Sequence, residues 1–177
     1  MRGLIAIAAA VSAIFAAPLF ARSPSPEHVE VIEAVDGFFA ALRSEDKTAL
    51  ARTMRPDGVI FIHDRRDPDN VRILTRPVSQ HLNGWEDSPP GTDEYMRYDH
   101  ILVDGTMAQV WGPYVFLLNG ETTHCGINSM SLAKGENGWL VSNTSFTMVT
   151  PEECDKVGAP ELTVHEDGTV EWEAESQ

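Results

Sequence analysis

Residues 107–149 read MAQVWGPYVFLLNGETTHCGINSMSLAKGENGWLVSNTSFTMV. Three long runs rich in β-branched and aromatic residues are parted by Asn119-Gly120 and by Lys134-Gly135-Glu136-Asn137-Gly138. An Asn-Gly pair tolerates the positive φ that a two-residue hairpin demands, so the flanking runs are expected to fold back on each other. Strands are predicted over 107–118, 122–133 and 139–149. Upstream, 95–103 has the same character and ends at Asp104-Gly105, a further hairpin signal. Four such strands in succession form an antiparallel meander.

Helical patterns precede the meander. Ser25 is a natural cap, Pro26 suits the first helical position, and Glu27 favours the positive end of the helix. Val31, Val35, Phe38, Phe39 and Leu42 then form one apolar stripe. A shorter helix is expected over 46–54, stopped by Pro56-Asp57-Gly58, then a buried strand over 59–62 and a polar loop over 63–70. A third helix is expected from Pro77, with Val78, His81, Leu82 and Trp85 on one face, followed by a loop over 87–93. Helices followed by a meander make an α+β class, the helices packed against one face of a curved antiparallel sheet. Such a cone leaves an interior space suited to a small-molecule pocket.

The termini are expected to stand apart. Arg2, an apolar run over 4–20 broken by Pro18, and Ala21 read as a signal peptide over 1–21, which implies a periplasmic or secreted protein with no membrane attachment after cleavage. The domain itself is expected over 22–152. From 153 to 177 the chain is an acidic extension, either a solvated tail or a small hairpin about Glu166-Asp167-Gly168. Thirteen Lys and Arg against 27 Asp and Glu give a net charge of −14, a field that repels nucleic acid and anionic membranes. Arg65, Arg66, Arg72 and Arg76 cluster, but Asp64, Asp67 and Asp69 lie among them. Cys125 and Cys154 form either a disulfide, as export favours, or two separate thiols.

The stretches Ala108–Phe116, Thr123-His124-Cys125-Gly126-Ile127-Asn128 and Gly138-Trp139 resemble the nuclear transport factor 2-like superfamily, and within it a bacterial group described as lumazine-binding. The resemblance spans roughly 27–150. It implies a cone-shaped fold, with N-terminal helices held in a strongly curved antiparallel sheet, and a homodimer through the sheet face. Its members include isomerases, dehydratases, cyclases and pure binding proteins, so the fold leaves the chemistry open.

Period-two alternation puts Tyr114 with Val110 and Phe116, and His124 with Gly126, Asn128 and Met130, on faces expected to look inward. Tyr114, His124 and Asn128 are thus expected to line the pocket, with His81 reaching it from the third helix. Trp111 completes the expected ligand-binding set. His124 is the candidate base and Tyr114 the candidate acid or oxyanion donor, while the plainer reading of both is as structural ties between strands. His63-Asp64 reads as an exposed loop pair, and Arg97 with Asp99 as an ion pair. No metal-ligand spacing, phosphate-binding loop or dinucleotide fingerprint occurs, so no metal or cofactor is expected. With no carboxylate on the inner face of 107–149, the expectation is a domain that binds a small apolar or aromatic ligand. Proton-transfer catalysis of an isomerase, dehydratase or cyclase type is the alternative.

Overall fold

In the computed structural model, which describes residues 25–165 and 169–172, the chain opens with helix α1 (Pro26–Arg43). The expected signal peptide lies outside the described residues. The Ser25 side chain accepts from the His28 N–H at the N-terminus, and Val31, Val35, Phe38 and Leu42 are buried along one face. A short 3₁₀ helix (Lys47–Arg52), capped by Asp46, takes the place of the second α-helix expected from the pattern. Strand β1 (Val59–Asp64) runs two residues further than expected. It pairs with β2 (Arg72–Pro77), a strand that the sequence did not announce. β2 is an exposed edge, and its short apolar centre Ile73-Leu74 is flanked by Arg72 and Arg76. Helix α2 (Val78–Trp85) follows directly.

The predicted strand over 95–103 is two strands, β3 (Thr92–Met96) and β4 (His100–Asp104), both antiparallel to β5 (Met107–Leu118). Met96 pairs with Tyr114 and His100 with Trp111, so three residues oppose two at the break. Pro113 has no N–H for a ladder, and a Cβ on Gly112 would lie 1.8 Å from the Arg97 carbonyl oxygen. The resulting bulge keeps the Arg97 and Asp99 N–H groups on the Pro113 and Trp111 carbonyls, and it reverses side-chain parity between β3 and β4. Asn119 and Gly120, at φ 54° and 78°, make the tight turn into β6 (Glu121–Gly135), and Gly138 at φ 98° opens β7 (Gly138–Met148).

The seven-stranded sheet has the order β2-β1-β7-β6-β5-β3, with β4 also on β5. Among the described strand pairs β1–β7 is the parallel one, and the isolated Met54–Val141 bridge is parallel as well. Register shifts at Phe116/Leu117 and Ser131/Leu132 bend the long strands, which curls the sheet around α1. Inside the curl, Val31, Val35, Phe38 and Leu42 pack with Met96, Val110, Met130, Leu132 and Val141. Outside it, Val115, Leu117, Cys125 and Val149 are covered by the chain after Pro151, including α3 (Cys154–Val157). Cys125 and Cys154 are joined as a disulfide across a separation of 29 residues. Closing a loop of that length stabilises the folded chain by roughly 3–4 kcal/mol. Strands β8 (Leu162–Val164) and β9 (Val170–Trp172) form a small hairpin, with Trp172 edge-on to Tyr95.

Candidate functional site

The inner face of the curled sheet and the two helices leave a cavity of about 210 Å³. That is larger than the 150 Å³ or so that accommodates benzene in an engineered apolar core. Its walls are mostly apolar, with Phe38 and Leu42 from α1, Ile60 and Ile62 from β1, and Met130 and Phe146 from the long strands. Tyr114, His124, Asn128 and His81 all line it. Trp111 does not and has to be removed from the ligand-binding set. It lies one residue out of phase with Val110 and Gly112, and its side chain is 44% exposed.

The polar group that most shapes the cavity is Glu94, which the sequence reading did not place there. Thr92, Glu94 and Met96 are buried on alternate positions of β3, facing inward. Glu94 accepts a hydrogen bond from the Asn128 Nδ2 at 2.7 Å through Oε1, and Oε2 has no partner among the described residues. Burial raises its carboxyl pKa to about 8, opposed mainly by the Asn128 hydrogen bond. Near neutral pH the group therefore carries a proton, and it can present an O–H to the cavity. The premise that the cavity holds no carboxylate held only for 107–149 and is overturned by β3.

Glu94, Phe116 and His124 are partners in one row across β3, β5 and β6. Two strand spacings separate the backbones of Glu94 and His124 by roughly 10 Å. The His124 ring stacks on Phe116 at 4.9 Å, and its Nδ1 lies 2.8 Å from Thr123 Oγ1. The Thr123 hydroxyl also lies 3.4 Å from the Phe116 carbonyl, and the tautomer that satisfies both contacts has the proton on Nδ1 and the lone pair on Nε2. Burial, then the Arg66 charge, lowers the His124 pKa to about 4. His124 is thus a neutral acceptor near pH 7.

Tyr114 has a different duty. Its hydroxyl donates to the Thr147 carbonyl at 2.8 Å, where β7 parts from β6, and burial pushes its pKa up. This ties an opened strand edge, so the hydroxyl is not free to stabilise an oxyanion. On α2, His81 and Trp85 lie one turn apart with ring centroids at 5.7 Å. Burial, then Arg76, lowers the His81 pKa to about 4. The Trp85 Nε1 is buried with no hydrogen-bond partner.

At the far end of β1, Asp64 corrects a further expectation. It is buried, not exposed, and pairs with Arg66 at 2.9 Å and with Arg72 at 2.6 Å. The Arg66 hydrogen bonds hold its carboxyl far below the ordinary range against the cost of burial, with Arg72 assisting. His63, on the opposite face, meets Ser145 Oγ at 3.2 Å. Arg97 and Asp99 form an ion pair at 2.7 Å beside the bulge, away from the cavity.

No protein-family model matches the sequence, and no curated protein matches it either. Solved structures do match in shape. A nuclear transport factor 2-like protein of unknown function from Shewanella baltica OS155 superposes with a TM-score of 0.52 at 17% identity, covering 69% of this chain and 93% of its own. A protein from Streptomyces avermitilis, provisionally named a dehydratase of the nuclear transport factor 2-like family, gives 0.55 at 16% identity, covering 72% and 99%. One from Novosphingobium aromaticivorans, provisionally named an aromatic ring hydroxylase, gives 0.52 at 10% identity, covering 73% and 94%. Shape agreement at such low identity speaks for architecture alone, and the chain has the nuclear transport factor 2-like fold.

Proposed function

We propose that the cone encloses a small, flat, largely apolar or aromatic molecule and moves a proton on it, with Glu94 as the acid and His124 as the acceptor. The observation that carries this reading is Glu94: a cavity carboxyl held by one amide, with Oε2 free and a pKa of about 8. A pKa near working pH lets a group give up a proton and take it back. On a ketone, His124 Nε2 would accept a proton from the carbon beside the carbonyl, breaking the C–H bond. Glu94 would pass its own proton to the carbonyl oxygen, leaving the neutral enol. Reversal returns both protons. Names that suggest a dehydratase and a ring hydroxylase among proteins of similar fold are compatible with an aromatic occupant.

Proton transfer can be read without knowing the natural substrate. In D₂O, the protein should accelerate deuterium uptake beside the carbonyl of 2-tetralone, followed by NMR. Glu94→Gln should cut the acceleration on the order of 100-fold or more while retaining 2-tetralone binding. Unchanged exchange in that variant would remove Glu94 from the chemistry. Binding without turnover is the second reading, favoured by the engagement of the Tyr114 hydroxyl with Thr147. Native mass spectrometry of protein purified from its own source would then find a tightly retained molecule. We also propose that the chain works outside the cytoplasm, which the Cys125–Cys154 bridge supports. Thiol labelling of the denatured, unreduced protein tests that bridge directly.

A further inference from the structure

The cavity holds more unmet donors than its apolar character requires. Arg76, on the edge strand β2, lines it, and its side chain makes no ion pair or hydrogen bond among the described residues. Nine residues on, Trp85 lines it too, and its Nε1–H is buried without an acceptor. An orphaned buried N–H is costly, on the order of 1–3 kcal/mol, and in a native chain it calls for a partner. The surroundings favour the same sign of partner. Outside the cavity lining, Asp64 pairs with Arg66 and Arg72 and shares a surface recess with Asp67, so those charges largely answer one another and Arg76 is the cation of the cavity wall. A chain of net charge −14 thus sets an arginine with no side-chain partner among the described residues in the wall of an apolar cavity. Inside, Glu94 stays protonated near neutral pH and the two histidines stay uncharged, so no carboxylate of the wall repels an anion.

We propose that the cavity takes its ligand as a carboxylate: a one- or two-ring planar acid, its rings among Phe38, Ile62 and Phe146 and its carboxylate on Arg76 and the Trp85 N–H. This rests on the small-molecule reading of the cavity, and it names the chemical class. Arginine meets a carboxylate with two parallel hydrogen bonds, and the indole N–H adds a third donor. The Arg76–Trp85 side anchors, which leaves Glu94 and His124 to face the body of the molecule.

Calorimetric titration with 2-naphthoate and with its uncharged counterpart 2-naphthamide, at pH 7 and low salt, separates the alternatives. The acid should bind at least tenfold tighter than the amide. Arg76→Gln should weaken the acid about tenfold and leave the amide within twofold, and Trp85→Phe should weaken the acid severalfold. The amide serves as the internal control for folding in both variants. Equal affinities for acid and amide in the unaltered protein, or an equal loss of both in Arg76→Gln, would overturn the carboxylate inference while leaving the cavity reading in place. Failure of both probes to bind would overturn the two together.

Discussion

Asp64 lies on β1, one strand in from the β2 edge, and Glu94 on β3 at the other edge of the sheet, and both residues are almost out of water, 4% and 9% exposed. Burial alone would drive both toward the protonated state. At Asp64 two guanidinium groups outweigh that cost and the carboxyl is held ionised. At Glu94 a single neutral amide does not, and the pKa rises to about 8. The difference lies in the partners, and it separates a structural carboxylate from one free to exchange a proton. The histidines nearest the cavity follow the Glu94 pattern, since both are driven toward the uncharged form.

The largest expected effect comes from collapsing that contrast at Glu94. The folded chain keeps a proton between pH 4.5 and about 8 that the unfolded chain has released, so stability is fully present below 4.5 and is lost as pH rises through 8. Glu94→Gln should abolish this loss, gaining on the order of 4 kcal/mol over the parent at pH 9 and almost nothing at pH 4. Urea unfolding at the two pH values reads the difference, and a variant that tracks the parent at both would show that Glu94 keeps no proton on folding. Asp64→Asn should act in the opposite sense. Its depressed pKa contributes stability that is present above the unfolded value of 3.8 and fades only as the medium becomes strongly acidic. The substitution should cost about 3 kcal/mol at pH 7 and nearly as much at pH 5, the half-exposed arginines keeping it below the full penalty of a broken buried pair. A neutral outcome would mean that the cluster is no stronger than a surface ion pair. The smallest effect belongs to Trp111→Ala on the outer face. It should change stability by less than about 1 kcal/mol and leave 2-naphthamide binding unaltered, and weakened binding would return Trp111 to the site.

Much of the architecture was legible along the chain. The apolar stripe of α1, its Ser25-Pro26 start and the glycine turns are local signals, and the structure carries them in the places expected. The inward row of Tyr114, His124 and Asn128 followed from period-two alternation along unbroken strands. Alternation fails where a strand is interrupted. Continued through the bulge at Arg97–Asp99, the phase of Ile101 and Val103 would have turned Glu94 outward, with exposed Leu102. The signal that was available is the pairing of Pro113 opposite the break, since a residue without an N–H cannot continue a ladder. β2 stayed invisible because its partner is β1 and its edge lies in solvent, so neither an apolar run nor a strict alternation was imposed on it.

The sequence by itself determined the class of fold, the acidic surface, the order of helices and meander, and which faces of the long strands β5 and β6 look inward, because each depends on neighbours a few residues apart. Only the tertiary structure decided that Glu94 meets Asn128, that Tyr114 is tied to Thr147, and that Arg76 and Trp85 are left without partners at the cavity. Those outcomes depend on the environment of a group and on the partners within its reach. Folding supplies both from distant parts of the chain, and periodicity carries no record of them.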